Sequence, residues 1–265
     1  MAQRNERYRG LFLHTKDTAR GDRILTFLCN EGLLSLFMFG GPKNSLRSAA
    51  LPFVLADIEV YRDSRRDFIK LTGTNVLEVF DGIRKSFFHM QSASAASEFL
   101  IRTSAFGGEY QQALLMITLL LRELARLDES ETRLVLSAFF WDALYPLGLI
   151  PDLLRCERCG RLFSEKNSLP GGLLVGESSF LCRSCAEEYG QIRYSTSVML
   201  PFDDKILTCL HSIPRQSYGQ AVLLLKSIPS SPDIIKIIES LAEAAAEGPL
   251  QSLRILDQTF YRTQI

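Results

Sequence analysis

The first eighty residues alternate between short apolar runs and polar turns. Residues 7–16 gather aromatic and aliphatic side chains around Leu11-Phe12-Leu13. Two further runs, 22–29 and 33–39, are separated by Asn30-Glu31-Gly32, where the glycine suits a tight reversal. Gly40-Gly41-Pro42 ends the third run and opens a polar loop to Arg47; residues 52–62 and 66–74 then form a pair around Asp63-Ser64-Arg65. Five strands in so short a stretch suit a small closed barrel. Phe12, Phe27, Phe37 and Phe39 are expected in its core, and period-two alternation buries Phe37 and Phe39 together on one strand face. Residues 23–28 also fit a helix, because a short apolar run has no decisive period.

The period then lengthens. Val76, Val79, Phe80, Ile83, Phe87 and Met90 recur at steps of three and four, which marks one face of a helix. Residues 94–106, 110–127 and 131–145 supply further helices, punctuated by Gly107-Gly108 and Asp128-Glu129-Ser130. Near the end, residues 203–211, 216–227, 232–247 and 250–261 are helical again. Glu239 and Asp257 are expected on polar faces, Asp203-Asp204 at a helix start, and Pro201, Pro214, Pro229 and Pro249 at the joints. The expected fold class is α+β and multidomain: strands over 1–78, helices over 79–265, and an insertion at about 153–190.

That insertion carries the clearest chemistry. Cys156-Glu-Arg-Cys159-Gly160 and Cys182-Arg-Ser-Cys185 are two CxxC pairs with 22 residues between them. Two residues between thiolates let a tight turn aim both sulfurs at one ion, and two such knuckles complete a tetrahedral shell. Cys156, Cys159, Cys182 and Cys185 are therefore expected to hold one structural Zn²⁺. A redox CxxC accounts for one pair and not the other, and catalytic zinc needs an open position that four thiolates do not leave. Pro170-Gly171-Gly172 is placed to turn a hairpin before 173–181. Cys29 and Cys209 read as small buried hydrophobes.

Charge changes the picture little. Thirty basic and thirty acidic residues cancel, and 46% of the chain is apolar, so a disordered tail or a histone-like polycation is excluded. Residues 1–80 hold 12 Lys and Arg against 9 Asp and Glu, the only net-basic stretch. The polar start has no signal-peptide core, and the longest apolar run, 113–121, contains Thr118 and is closed by Arg122. A membrane span needs about 20 apolar residues, so a soluble cytoplasmic protein with no membrane partner is expected. The chain has no GxxxxGK[ST] loop, GxSxG elbow or HExxH pair, and His14, His89 and His211 lie far apart. An enzyme is not expected.

Particular residues then point to a family. The segment Asp17-Thr-Ala-Arg20-Gly21-Asp22-Arg23-Ile24-Leu25-Thr26-Phe27, followed by Glu31-Gly32-Leu33-Leu34-Ser35, resembles the N-terminal signature of the bacterial recombination mediator family RecO. Leu51-Pro52-Phe53, leading into the strand that ends at Tyr61-Arg62, is similar too. So is Leu147-Gly-Leu-Ile-Pro-Asp-Leu-Leu-Arg-Cys156-Glu-Arg-Cys159-Gly160, the family's approach to its zinc motif. The resemblance covers roughly residues 7–260. It implies an N-terminal five-stranded OB-fold barrel and a helical C-terminal domain carrying the zinc finger. It also implies a non-enzymatic role in DNA repair and recombination: binding single- and double-stranded DNA, annealing strands, contacting SSB and, with RecR, helping RecA replace SSB. A nucleoid-associated cytoplasmic location goes with that role.

In an OB barrel, cations track phosphates and aromatic faces stack bases. Arg20, Arg23, Lys43 and Arg47, on or beside the barrel loops, are the expected nucleic-acid-binding residues, with Lys16, Arg62, Arg65 and Arg66 as further candidates. The family often has a more basic stretch after the third strand; here residues 39–47 hold only Lys43 and Arg47. Two rival readings stand beside the mediator. One is a protein-only adaptor of the same pathway with little DNA binding of its own; the other is a zinc-containing nucleic-acid enzyme.

Overall fold

The computed structural model describes residues 5–41, 44–63, 68–165, 168–191 and 199–263. Two compact units divide the chain, residues 1–132 with 251–265, and residues 133–250.

In the first unit, strand β1 (Asn5–Asp17) is long enough to serve two neighbours. Its first half pairs with β4 (Val54–Asp63) and its second half with β2 (Arg23–Cys29), all antiparallel. Strand β3 (Gly32–Met38) returns along β2 and meets β5 (Phe68–Val79) in a short parallel step at Leu36 and Ile69. Because β5 also pairs with β4, the order β1-β2-β3-β5-β4 closes on itself. Inward side chains fill the centre: Phe12, Leu25, Phe27, Leu36, Val54, Ile58 and Val60. Phe12 meets Phe27 edge-on at 4.9 Å. Gly10 is required at the β1–β2 contact, since a Cβ there would fall 2.0 Å from the Leu28 carbonyl oxygen.

Two strand expectations need correction here. Residues 76–79 are not the start of a helix: β5 runs on through Val79, with Val76 opposite Ala56 and Val79 opposite Val54. The β-branched side chains fit the pleat, and the three-residue spacing was an accident of a half-exposed strand. Phe37 and Phe39 do share a face, but it is the outer one; Leu36 and Met38 take the inward positions. Phe39 remains 42% exposed. Residues 23–28 lie in strand β2, so the strand reading of that run holds over its helical rival.

After a short 3₁₀ turn at Asp81–Lys85, α1 (Phe87–Arg102) begins at Ser86, whose hydroxyl accepts from the Phe88 N–H. The chain reverses through Ser104, Ala105, Phe106 and Gly107, all at positive φ, into α2 (Tyr110–Leu124). The last helix of the chain, α8 (Gln251–Thr263), packs beside α1. Its first-turn N–H groups, on Gln251 and Ser252, donate to the two carboxylate oxygens of Glu98 at 2.8 and 2.9 Å. A side chain from one helix thus caps another.

The second unit holds α3 (Thr132–Ala143), α4 (Arg183–Gln191), α5 (Asp204–Ser212), α6 (Tyr218–Lys226) and α7 (Ser231–Ala245). It also holds a three-stranded sheet of β6 (Pro170–Leu174), β7 (Ser179–Cys182) and β8 (Met199–Pro201), with β6 central. Pro170-Gly171-Gly172 is therefore strand and not the hairpin turn. The turn lies at Val175–Ser178, where Ser178 takes φ 51°. Gly171 is needed for a different reason: a Cβ there would sit 2.5 Å from Arg183 Cα. Asp203 caps α5, accepting from the Lys205 and Ile206 N–H groups. Glu239 is not on a polar face; it is 8% exposed and paired with Arg133. No described helix is long and apolar enough to cross a membrane.

Candidate metal centre and nucleic-acid interface

The two CxxC pairs converge. The sulfurs of Cys156, Cys159, Cys182 and Cys185 all lie within 4.8 Å of one another. Local hydrogen bonds explain the first knuckle. The Cys156 N–H donates to Arg161 O at 2.9 Å, the Gly160 N–H donates to Cys156 O at 2.8 Å, and Gly160 takes φ 72° to close the turn. The second knuckle is a strand end and a helix start, with Cys182 closing β7 and Cys185 in the first turn of α4. In the same unit Phe163, Phe180 and Phe202 are buried and pack on one another, with the Phe163 and Phe202 rings 5.9 Å apart and the Phe180 and Phe202 rings 4.5 Å apart.

The thiols respond unequally. Burial opposes ionisation of Cys156, but backbone N–H groups of Cys182, Cys159 and Arg158 outweigh it and draw its pKa down to about 7. Cys185 is pushed well up by burial and by the sulfurs beside it. Four thiolates cannot share so small a space without a cation to offset their charge. This set of soft donors can hold one metal ion. Cys29 and Cys209 are buried elsewhere, and burial raises both thiols to about 11.

Of the expected phosphate-binding cations, Arg20, Arg23 and Arg47 are described, and they lie on or beside the β1–β2 turn. Arg20 is exposed on the turn between β1 and β2. Arg23 and Arg47 converge on a single carboxylate: Arg23 Nε is 2.8 Å from Asp17 Oδ1, and Arg47 Nη2 is 2.7 Å from the same oxygen. Arg47 also donates to Gly21 O at 3.0 Å, which fastens the 45–48 turn to the β1–β2 turn. The Arg23 hydrogen bond, with Arg47 alongside, holds the Asp17 carboxyl below its ordinary range. Lys43, Arg65 and Arg66 lie outside the described residues. Lys16 is exposed, whereas Arg62 is bound to Glu6 at 3.0 Å.

One cluster escaped the sequence reading. Phe37 and Phe39 stack on the outside of the barrel, 6.3 Å between centroids and 15° between planes. Phe68 stands edge-on to both, and Lys70 Nζ lies 5.9 Å from the Phe39 centroid. The signal was present as Phe37-x-Phe39 and Phe68-x-Lys70, but only the β3–β5 pairing brings the two dipeptides together. Phe39 and Lys70 line a groove of about 1310 Å³ with Arg7, Glu59, Tyr61 and Thr72.

Comparison with known proteins places this architecture. The family model described as Recombination protein O N terminal matches residues 1–80, the stretch that forms the barrel. The DNA repair protein RecO of Anaeromyxobacter dehalogenans is 32% identical over 184 residues, spanning 67% of this chain and 69% of that protein. The DNA repair protein RecO of Desulforamulus reducens is 23% identical over 253 residues, 94% of this chain and 93% of its own length. The corresponding protein of Pelobacter propionicus is 26% identical over 210 residues, 77% of this chain and 79% of the relative. With the barrel matched by the family model and the longest of these alignments running through both cysteine knuckles' unit, the chain belongs to the RecO family of DNA repair proteins.

Proposed function

We propose that this protein is a non-enzymatic recombination mediator whose barrel is an OB fold that binds single- and double-stranded DNA and anneals complementary strands. The observation that carries this reading is the five-stranded sheet, closed in the order β1-β2-β3-β5-β4, lying where the family model matches. Arg20, Arg23, Lys43 and Arg47 are the phosphate-binding residues in this reading. Annealing consumes no ATP, because base pairing supplies the free energy; the protein lowers phosphate repulsion and holds strands together. With RecR, it engages SSB on single-stranded DNA so that RecA takes its place, in the cytoplasm at the nucleoid. Residues 1–78 form the DNA-binding domain and residues 79–265 the helical domain that carries the finger.

In this reading, the four thiolates hold one Zn²⁺ that is structural. Its chemistry is to neutralise the sulfurs and fix the fold of residues 153–190, and no site on it is open to substrate. A protein-only adaptor is the second reading, favoured by one observation: Arg23 and Arg47 already spend charge on Asp17.

Anisotropy of a labelled single strand across a salt series decides between them. The mediator gives tight binding with a log–log slope of about −0.7 per neutralised phosphate, and Arg20→Ala flattens it by about that amount. No binding at low salt overturns the DNA reading in favour of the adaptor.

A further inference from the structure

The outer face of the barrel carries more aromatic surface than the fold needs. The core is filled by Phe12 and Phe27, and Phe37, Phe39 and Phe68 contribute nothing to it. Their arrangement is ordered nonetheless, with two rings parallel, a third edge-on to both, and an ammonium near the outermost ring. A flat apolar surface next to a cation and a row of hydrogen-bonding groups matches one chemistry well: an unpaired nucleobase attached to its phosphate.

Charge around the rings agrees. Glu6, Glu59 and Asp63 line the groove, and Glu59 is matched by Arg7 at 2.5 Å and Glu6 by Arg62 at 3.0 Å. Lys70 stands over a ring, where its ammonium is placed to meet an anion without leaving the aromatic face. The rings also adjoin the cation cluster. One residue beyond Phe39, the Gly40 N–H donates to Asp22 Oδ1 at 3.1 Å, on the turn that carries Arg20 and leads into Arg23.

We propose that Phe39 and Phe68, backed by Phe37 and flanked by Lys70, form a base-stacking platform that makes the barrel prefer unpaired strands. The cations at the β1–β2 turn contact phosphates of either single or double strands; the platform reads exposed bases. This inference rests on the barrel being a DNA-binding fold, so its test must separate the two.

Three labelled probes do so with the full-length protein: oligo(dT), an abasic strand of equal length, and a blunt duplex. Both single strands offer phosphates, but only oligo(dT) offers bases. The wild type is expected to bind oligo(dT) about 5- to 150-fold more tightly than the abasic strand, the range for stacking one base. Phe39→Ala removes that preference and leaves abasic and duplex binding unchanged, and Phe39→Leu, which keeps apolar bulk without a ring, does the same. In Phe39→Trp the new indole fluorescence is quenched by oligo(dT) and not by the abasic strand.

Equal wild-type affinity for oligo(dT) and the abasic strand overturns the platform while the DNA reading stands. Full preference retained in Phe39→Leu also overturns it, because bulk alone then suffices. Binding to none of the probes removes the DNA reading and the platform with it. A wild-type dimer that Phe39→Ala converts to monomer, with strand preference absent in both, assigns the face to a second copy of the chain instead.

Discussion

Arg133 and Glu239, 106 residues apart in sequence, meet in a two-point ion pair, Nε to Oε1 at 2.8 Å and Nη2 to Oε2 at 2.6 Å. The pair ties α3 to α7 within the second unit, and both side chains are largely withdrawn from water. Removing one partner strands the other's charge in that environment. Glu239→Ala is expected to cost about 2–4 kcal/mol of stability, and Glu239→Gln less, because one acceptor is kept. Urea unfolding of the two variants checks this order; a neutral Glu239→Ala contradicts it.

In the mediator reading, Asp17 competes with DNA for two cations. Its carboxylate occupies both Arg23 and Arg47, so a phosphate approaching either must displace it. In the mediator reading, Asp17→Asn tightens single-strand binding. It also steepens the log–log salt slope, by about 0.7 for each guanidinium released. A loss of binding with native stability instead gives Asp17 the role of positioning the arginines. A change in neither quantity takes these arginines out of the DNA interface.

The cysteine knuckles and the Phe37–Phe39 face differ in how legible they are in the sequence. The knuckles are local: Cys156 and Cys159, or Cys182 and Cys185, lie within one turn of each other, so spacing alone brings their sulfurs together. The helices after Asp203 are equally local, since caps and prolines mark their ends. What failed was register and side. A period-two strand says that Phe37 and Phe39 share a face, but not which face the closed sheet turns inward. Val76 and Val79 sit three apart, and only pairing with β4 makes that spacing strand and not helix. Glu239 looked solvent-exposed because its partner Arg133 is distant in sequence. Ion pairs and aromatic clusters assembled across strands or helices carry no local period.

A buried acid makes stability depend on pH in an unusual direction. Asp142 is 1% exposed and accepts from the Gln216 N–H at 3.0 Å and from Arg215 Nε at 3.3 Å. Burial dominates these contacts and raises its pKa above the ordinary 3.8. The folded chain therefore binds this proton more tightly than the unfolded chain. Stability from this group is greatest at and below the ordinary carboxylate pKa and declines as pH rises through the raised value. Asp142→Asn lacks the titration, so the wild-type stability minus that of the variant falls with rising pH across this window and levels off above it. Urea midpoints at a series of pH values read the difference, and parallel curves for the two proteins contradict the assignment.

Metal dependence is the last prediction, and it separates the two kinds of cysteine. If the four clustered thiolates share one structural Zn²⁺, purified protein holds one zinc per chain by elemental analysis, and Cys159→Ser or Cys182→Ser loses it. Structural zinc in finger peptides supplies on the order of 10–16 kcal/mol of apparent binding energy, which becomes folding energy. Chelation at neutral pH is therefore expected to melt the β6–β7 region, reported by loss of amide protection at the β7 N–H groups paired with β6. The barrel should keep its protection, because its core residues, from Phe12 to Leu71, are all supplied by its own strands and the turn before β4. Cys29→Ala and Cys209→Ala leave the zinc content unchanged, as both thiols are buried outside the cluster. Protein that folds fully with no zinc, and whose Cys182→Ser variant is as stable as the wild type, contradicts the structural site.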